Sequence, residues 1–197
     1  MRIAAIILAA GGSSRMGSPK QLLPYRGRSL IRHVVEQALG SACEHVFVVL
    51  GANAESIAAA ITADGSACSF TLSQNPRWQE GIGTSVRAGV ESAIAAQFDA
   101  VVIALGDQPL ISSRILDTLI RVQKETGKPL AASRYAGAAG VPALFTKDLF
   151  AYLLELAPAS GCKGFIETHA EQAAFVDCPE GELDIDTPED YARANCG

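Results

Sequence analysis

The chain lacks several features that would place it in a broad functional class. None of its five cysteines forms a C-x-x-C pair, and the number is odd. This excludes a disulfide framework or a common zinc-site spacing and points to a reducing cytoplasm. No run of basic residues is present and the formal net charge is −5, which argues against tracking a nucleic-acid backbone. The longest apolar run, Ile3 to Ala10, is far short of the roughly 20 residues of a membrane-spanning helix. Arg2 precedes this run and small residues follow it, so a signal peptide has to be weighed. A buried strand is the preferred assignment, because the glycine-rich segment behind it has its own explanation. Internal repeats, low-complexity tracts and linker-like stretches are also missing, as is any evident Ser–His or Cys–His nucleophile pair.

What is present fits one α/β domain spanning residues 1–197. Hydrophobic residues make up 49% and charged residues 19%, a composition of globular chains. Apolar strand-like runs alternate with helical patterns. The expected strands are Ile3–Leu8, His45–Leu50, Ser69–Ser73, Ala100–Leu105, Leu130–Ser133, Val141–Phe145, Ala173–Asp177 and Glu182–Ile185. Helices are expected over Ser29–Leu39, Ala54–Ile61, from the end of the polar loop Gln74–Gly83 to about Ala96, and over Ile111–Thr126, Lys147–Leu156, Phe165–His169 and Thr187–Ala194. Near-continuous apolar strands separated by helices predict a mainly parallel, Rossmann-like sheet covered on both faces, a three-layer α/β/α fold. Ligands of such sheets bind outside the carboxyl ends of the strands. Leu8 to Gly11, Leu105 to Asp107 and Leu183 to Asp186 are therefore expected to converge on one edge.

The first of these segments continues as Leu8-Ala9-Ala10-Gly11-Gly12-Ser13-Ser14-Arg15-Met16-Gly17-Ser18-Pro19-Lys20. Glycines allow close backbone approach and positive φ. Successive N–H groups in such a turn can form an anion-binding concavity. Ser13 and Ser14 add hydroxyls, and Arg15 and Lys20 add charge suited to a polyphosphate. Gly12 and Gly17 have Walker-type spacing, but Ser18 follows where a lysine would stand. G-x-G-x-x-G is absent, which argues against a Rossmann dinucleotide site.

The pattern L-A-A-G-x-S-x-R-M-G-x-x-K resembles the signature of the MobA-like nucleotidyltransferases, which include the molybdenum cofactor cytidylyl- and guanylyltransferases. The resemblance implies that Gly11 to Arg15 wrap a nucleoside triphosphate and that Lys20 neutralises charge during transfer, with Leu8, Ala9 and Ala10 leading into the loop. Asp107, in Leu105-Gly106-Asp107-Gln108-Pro109, can be read as a turn aspartate or as a metal ligand at a strand end. Magnesium takes one or two carboxylates plus substrate phosphates, so the neighbouring loop favours the ligand. Asp184 and Asp186, at i and i+2, would share a side in a strand, although Asp186 or Thr187 before Pro188 also reads as a helix start. The Asp184-Ile185-Asp186-Thr187-Pro188-Glu189-Asp190 segment is similar to the ending of the MocA-type cytidylyltransferase branch. That similarity makes Asp186 the second metal ligand, with Mg2+ the expected ion and Mn2+ an alternative.

The segment from Asn75 through Trp78 and Gly81 to Ser85 is similar to the family stretch that closes over base and ribose. It implies nucleotide binding by Asn75, Gly81 and Ser85; Trp78, in the same loop, can be read as a packing residue, the favoured reading, or as a stacking platform. Val141 stands where the cytidylyl branch often has histidine, which leaves the acceptor open; Arg134 and Lys163 are candidates for holding an acceptor phosphate. His33, His45 and His169 are dispersed and receive no role. Leu8-Ala9-Ala10-Gly11 resembles the cytidylyl branch, whereas the guanylyl branch more often reads Leu-Ala-Gly-Gly, so the resemblance at Ala10 favours CTP over GTP. By resemblance, the reaction is attack of an acceptor phosphate on the α-phosphorus of CTP, with a molybdopterin-type acceptor and a molybdoenzyme as recipient of the product. The alternatives are transfer to another phosphorylated small molecule, or a non-catalytic molybdenum-cofactor chaperone.

Overall fold

The computed structural model describes residues 1–13, 16, 18–63 and 70–195. Ser14, Arg15 and Gly17 of the loop, residues 64–69, and residues 196–197 lie outside them.

A seven-stranded sheet is built from β1 (Ile3–Ala9), β4 (His45–Leu50), β5 (Phe70–Gln74), β6 (Ala100–Leu105), β7 (Leu130–Tyr135), β8 (Ala138–Thr146) and β9 (Ala173–Asp177). A two-stranded hairpin pairs β2 (Pro24–Tyr25) with β3 (Arg28–Ser29). The order is β5-β4-β1-β6-β8-β7-β9. β1 pairs parallel with β4 and β6, β4 with β5 and β7 with β9, whereas β8 runs antiparallel to β6 and β7. The expected mainly parallel sheet is therefore present, with one inverted strand. That strand arises because β7 and β8 form a tight hairpin, whose turn residues Ala136 and Gly137 have φ of 48° and 75°. Two positive φ values in succession match the right-handed twist of paired strands.

β1 shows why the sheet is buried on both faces. Successive side chains of a strand point to opposite faces. Ile3, Ala5, Ile7 and Ala9 pack against α1 (Leu30–Leu39), α2 (Ala54–Thr62) and α4 (Ser113–Thr126). Ala4, Ile6 and Leu8 pack against α3 (Ile82–Ala95), α5 (Phe150–Leu154) and α6 (Cys162–Thr168). α7 (Pro188–Asn195) closes the chain. Among the described residues, no helix is long and apolar enough to cross a membrane.

Four local expectations shift. α4 begins at Ser113 because Ser112 is extended, while Ile111 is buried in the loop before it. The helix expected over Lys147–Leu156 opens as a 3-10 turn, Lys147–Leu149, before α5. The short helix expected from Phe165 starts earlier, at Cys162, after extended Gly161. The late strand expected at Glu182–Ile185 does not form. Pro179–Glu182 make a 3-10 turn, and residues 183–186 join no ladder. Leu183 and Ile185 are instead buried with Tyr25, Leu30 and Ala194 in a small separate cluster. The alternation of apolar and acidic residues thus serves docking onto the β2–β3 hairpin rather than sheet pairing.

Candidate active site

β1 has β4 on one side and β6 on the other, so the chain winds away from β1 in both directions. The crevice at such a switch point, beyond the strand carboxyl ends, is where open α/β sheets take their ligands. A cavity of about 250 Å³ lies there. Leu8, Ala10, Gly11, Ser13, Lys20, Ser85, Asp107 and Asp186 all line it. The three segments expected to converge do meet here, the ends of β1 and β6 and the non-strand segment 183–186: Gly106 N–H donates to Leu8 O at 2.9 Å and Ile185 N–H to Asp107 O at 3.0 Å.

At the floor of the cavity Lys20 Nζ sits 2.5 Å from Asp107 Oδ2 and 2.7 Å from Asp186 Oδ1. The lysine and Asp107 side chains are 11% and 18% exposed, and Asp186 is 36% exposed. Burial by itself would lower the lysine pKa; the charges and hydrogen bonds of Asp107 and then Asp186 outweigh it and hold the ammonium above its ordinary value. Asp107 Oδ1 is buried and has no hydrogen-bond partner among the described residues. The Asp184 carboxyl is pushed up to about 6, first by burial and then by the charge of Asp107. Its Oδ1 is likewise buried without a partner.

The loop is braced from behind by Gln21, a 3% exposed side chain. Its Oε1 accepts from Ser13 Oγ at 3.1 Å and its Nε2 donates to Gly11 O at 3.1 Å. Ser13 Oγ also accepts from the Lys20 backbone N–H at 3.0 Å. The Ser13 hydroxyl expected to face a ligand is thus committed to holding the loop, and Ser13 itself has φ of 52°. Left-handed backbone in a non-glycine residue is strained and marks a shaped turn. Trp78 lines the cavity and also packs on the loop's neighbours. A Cβ at Gly51 would lie 2.6 Å from Trp78 Cβ, and one at Gly12 3.2 Å from the indole ring.

Several expected residues have other surroundings. Ala9 faces the core opposite the cavity, and Gly12 lies under Trp78. Asn75 is buried and points inward: its Nδ2 donates to Thr84 Oγ1 at 2.8 Å and Ser85 Oγ at 2.9 Å, and its Oδ1 accepts from Arg77 N–H at 3.0 Å. The side chain tied down this way holds Ser85 at the cavity wall. Gly81 has φ of 127°, and a Cβ there would fall 2.4 Å from Pro158 O. This glycine lets α3 start against the 158–160 loop and does not line the cavity. Arg134 lies 4.5 Å over the Phe175 ring, Lys163 is an exposed residue of α6, and neither lines the cavity. Val141 packs beside the core on the α3 side, and its carbonyl accepts from Tyr135 Oη at 2.9 Å. Ser14 and Arg15 fall outside the described residues.

No motif or periodicity marked Gln21 or Gln108. Gln108 is fully buried, and its Nε2 donates to Gly181 O at 3.1 Å, tying the β6 end to the 3-10 turn before Asp184. Met16 and Ile82 also line the cavity and give it an apolar wall. The histidines remain structural; His33 is buried, with Nε2 3.1 Å from Pro109 O, behind the Asp107 turn.

Residues 5–173 match the MobA-like NTP transferase domain. The purine catabolism protein PucB of Bacillus subtilis is 34% identical over 192 residues, which cover 94% of this chain and 92% of that protein. The nicotine blue oxidoreductase of Paenarthrobacter nicotinovorans is 36% identical over 119 residues, 60% of this chain and 55% of that protein. Among solved structures, Rv0371c of Mycobacterium tuberculosis superposes with a TM-score of 0.77 at 29% identity, covering 100% of this chain and 98% of that one. A manganese complex of Rv0371C superposes at 0.73, with 28% identity and full coverage of both chains. The matched span includes the loop after β1, Asp107 and the Asn75–Ser85 segment, and by it the chain belongs to the MobA-like NTP transferase family.

Proposed function

We propose that this nucleotidyltransferase-family chain moves a CMP group from CTP to a phosphorylated acceptor of the molybdopterin type, releasing pyrophosphate, in the cytoplasm. The observation that carries this reading is the pairing of Asp107 and Asp186 around one cationic point beneath the loop Gly11 to Lys20.

The donor set fits a hard divalent cation. Two carboxylates are aimed at one point, one of them keeps a buried oxygen without a partner, and the remaining side opens into the cavity. Magnesium is held in this manner, by one or two carboxylates with phosphates completing the shell. Asp107 and Asp186 would hold Mg2+ or Mn2+, and the manganese complex of Rv0371C supports a divalent ion. Once bound, such an ion supplies Lewis-acid polarisation of the α-phosphate and orients the leaving group.

The chain's own groups then account for the rest. The loop N–H groups and Lys20 neutralise charge on the triphosphate, and Arg15 is assigned to the same task. Gln21 and the Lys20 backbone keep the loop in shape through Ser13. Asn75 sets Ser85 at the wall on the ribose and base side. An acceptor phosphate oxygen forms a bond to the α-phosphorus as the bond from that phosphorus to the bridging oxygen breaks, and pyrophosphate leaves with the electron pair. An acceptor phosphate is already ionised near neutral pH, so positioning and electrostatics suffice and a strong base is not needed. Ala10 lines the cavity, and the likeness of Leu8-Ala9-Ala10-Gly11 to the cytidylyl branch is the ground for CTP over GTP. The Arg134 and Lys163 assignments to the acceptor gain no support from the cavity lining.

Pyrophosphate release with CTP, GTP, ATP and UTP, with and without molybdopterin, tests the proposal. Release dependent on CTP and molybdopterin is expected. Preference for GTP would overturn the cytidylyl assignment, and CTP binding without turnover would overturn the transfer reaction.

A further inference from the structure

Lys20 Nζ contacts both metal-ligand carboxylates at once, at 2.5 and 2.7 Å. An ammonium in that position neutralises the oxygens that a divalent cation needs. Two cations crowded onto the same pair of carboxylates repel strongly in a partly desolvated site. The lysine and a divalent ion therefore compete for Asp107 Oδ2 and Asp186 Oδ1.

The backbone of Lys20 is fixed while its ammonium has somewhere else to go. Its N–H is held by Ser13 Oγ at 3.0 Å, at the start of a short 3-10 turn. The same serine forms part of the loop wall of the cavity. A flexible four-carbon stem on this anchor lets the ammonium reach either the carboxylates or an anion lying along the loop.

We infer that Lys20 is an internal cation that keeps divalent metal out of the Asp107–Asp186 pair until a nucleoside triphosphate draws the ammonium onto its phosphates. The inference rests on the nucleotidyl-transfer reading above. It makes metal and triphosphate binding mutually dependent: each raises the affinity for the other by the same factor, as linkage requires. The free protein thereby carries no tightly held ion without its nucleotide. Lys20 has two successive partners, the carboxylates before loading and the phosphates after it.

Mn2+ binding to the full chain, measured by electron paramagnetic resonance without nucleotide, tests this directly. Lys20→Met is expected to bind Mn2+ about 10-fold or more tightly than the unaltered protein, within the usual range of coupling factors. Lys20→Arg, which keeps the charge, is expected to hold Mn2+ as weakly as the unaltered protein. In the unaltered protein a non-hydrolysable CTP analogue is expected to raise Mn2+ affinity by a similar factor, and less so in Lys20→Met. A Lys20→Met variant that folds only with Mn2+ added also supports the inference, because the ion then replaces the missing ammonium. Should that variant not fold at all, the analogue's effect on the unaltered protein decides; no rise in Mn2+ affinity overturns the inference. Equal or weaker Mn2+ binding by folded Lys20→Met overturns it as well. If the unaltered protein still turns over CTP in that case, the transfer reading survives alone; absence of turnover with any triphosphate removes the reading itself.

Discussion

Replacing Asp184 with asparagine should stabilise the metal-free protein at neutral pH and have much less effect in acid. The Asp184 carboxyl is raised from 3.8 to about 6, first by burial and then by the charge of Asp107, with Asp186 adding to it. A carboxyl that holds its proton to higher pH in the folded state than in the unfolded one favours folding in its protonated form. Its ionisation therefore costs stability as pH rises from about 4 to about 6, and the full penalty persists above that window. At about 1.4 kcal/mol per pH unit, the difference corresponds to about 3 kcal/mol as an upper bound. The site opens to solvent and Lys20 lies near, so about 1–2 kcal/mol is the expected size. Asparagine cannot ionise, and its amide places a donor close to the unpartnered oxygen of Gln108. Urea unfolding of both proteins in a chelator, at pH values from about 4 to about 8, measures the effect. The stability gap should grow by about 1–2 kcal/mol across that range, a midpoint shift of roughly 0.5–1 M urea. A gap that does not vary with pH, or an asparagine variant less stable at every pH, would show that Asp184 is not buried against its own charge.

Gly81→Ala is expected to destabilise the protein by about 2–4 kcal/mol, because the new Cβ meets backbone atoms at 2.4 and 2.9 Å and the residue has φ of 127°. Calorimetry should show a melting temperature lower by roughly 5–15 °C; a drop of only about 1 °C would mean that the 158–160 loop gives way freely. Gln21→Ala removes both of that side chain's bonds to the loop after β1, the proposed triphosphate cradle. Each buried bond contributes about 1 kcal/mol, so KM for CTP should rise about 10-fold or more with a smaller change in kcat. Unchanged KM in a pyrophosphate-release assay would remove Gln21 from the account of the loop.

The sequence alone determined the parts that depend on local repetition. β1 reads Ile-Ala-Ala-Ile-Ile-Leu-Ala with apolar residues at every position, and only a sheet covered on both faces buries all seven. The helical spacing of Leu30, Ile31, Val34, Val35 and Ala38 specified α1, and the structure adds Ser29 as its cap, with the side chain accepting from Arg32 N–H. A carboxylate two residues after the buried strand Ala100–Leu105 had to emerge at a strand end, and the loop after β1 had to emerge beside it once the strands were parallel.

Tertiary structure decided what depends on distant surfaces meeting. Lys20 and Asp186 are separated by 166 positions, and their contact follows from Leu183 and Ile185 docking against Tyr25 and Leu30. The alternation at 182–185 looks the same for a strand as for a docked segment, since both bury every second residue. Asn75 has the composition of a ligand-binding residue, and only the approach of α3 directed its amide to Thr84 and Ser85. Gln21 carried no periodic or chemical signal, because a buried polar side chain is defined by the partners that surround it. Strand and helix patterns are written in neighbouring residues; the placement of an ammonium between two carboxylates is written in the packing of segments that the chain brings together from its two ends.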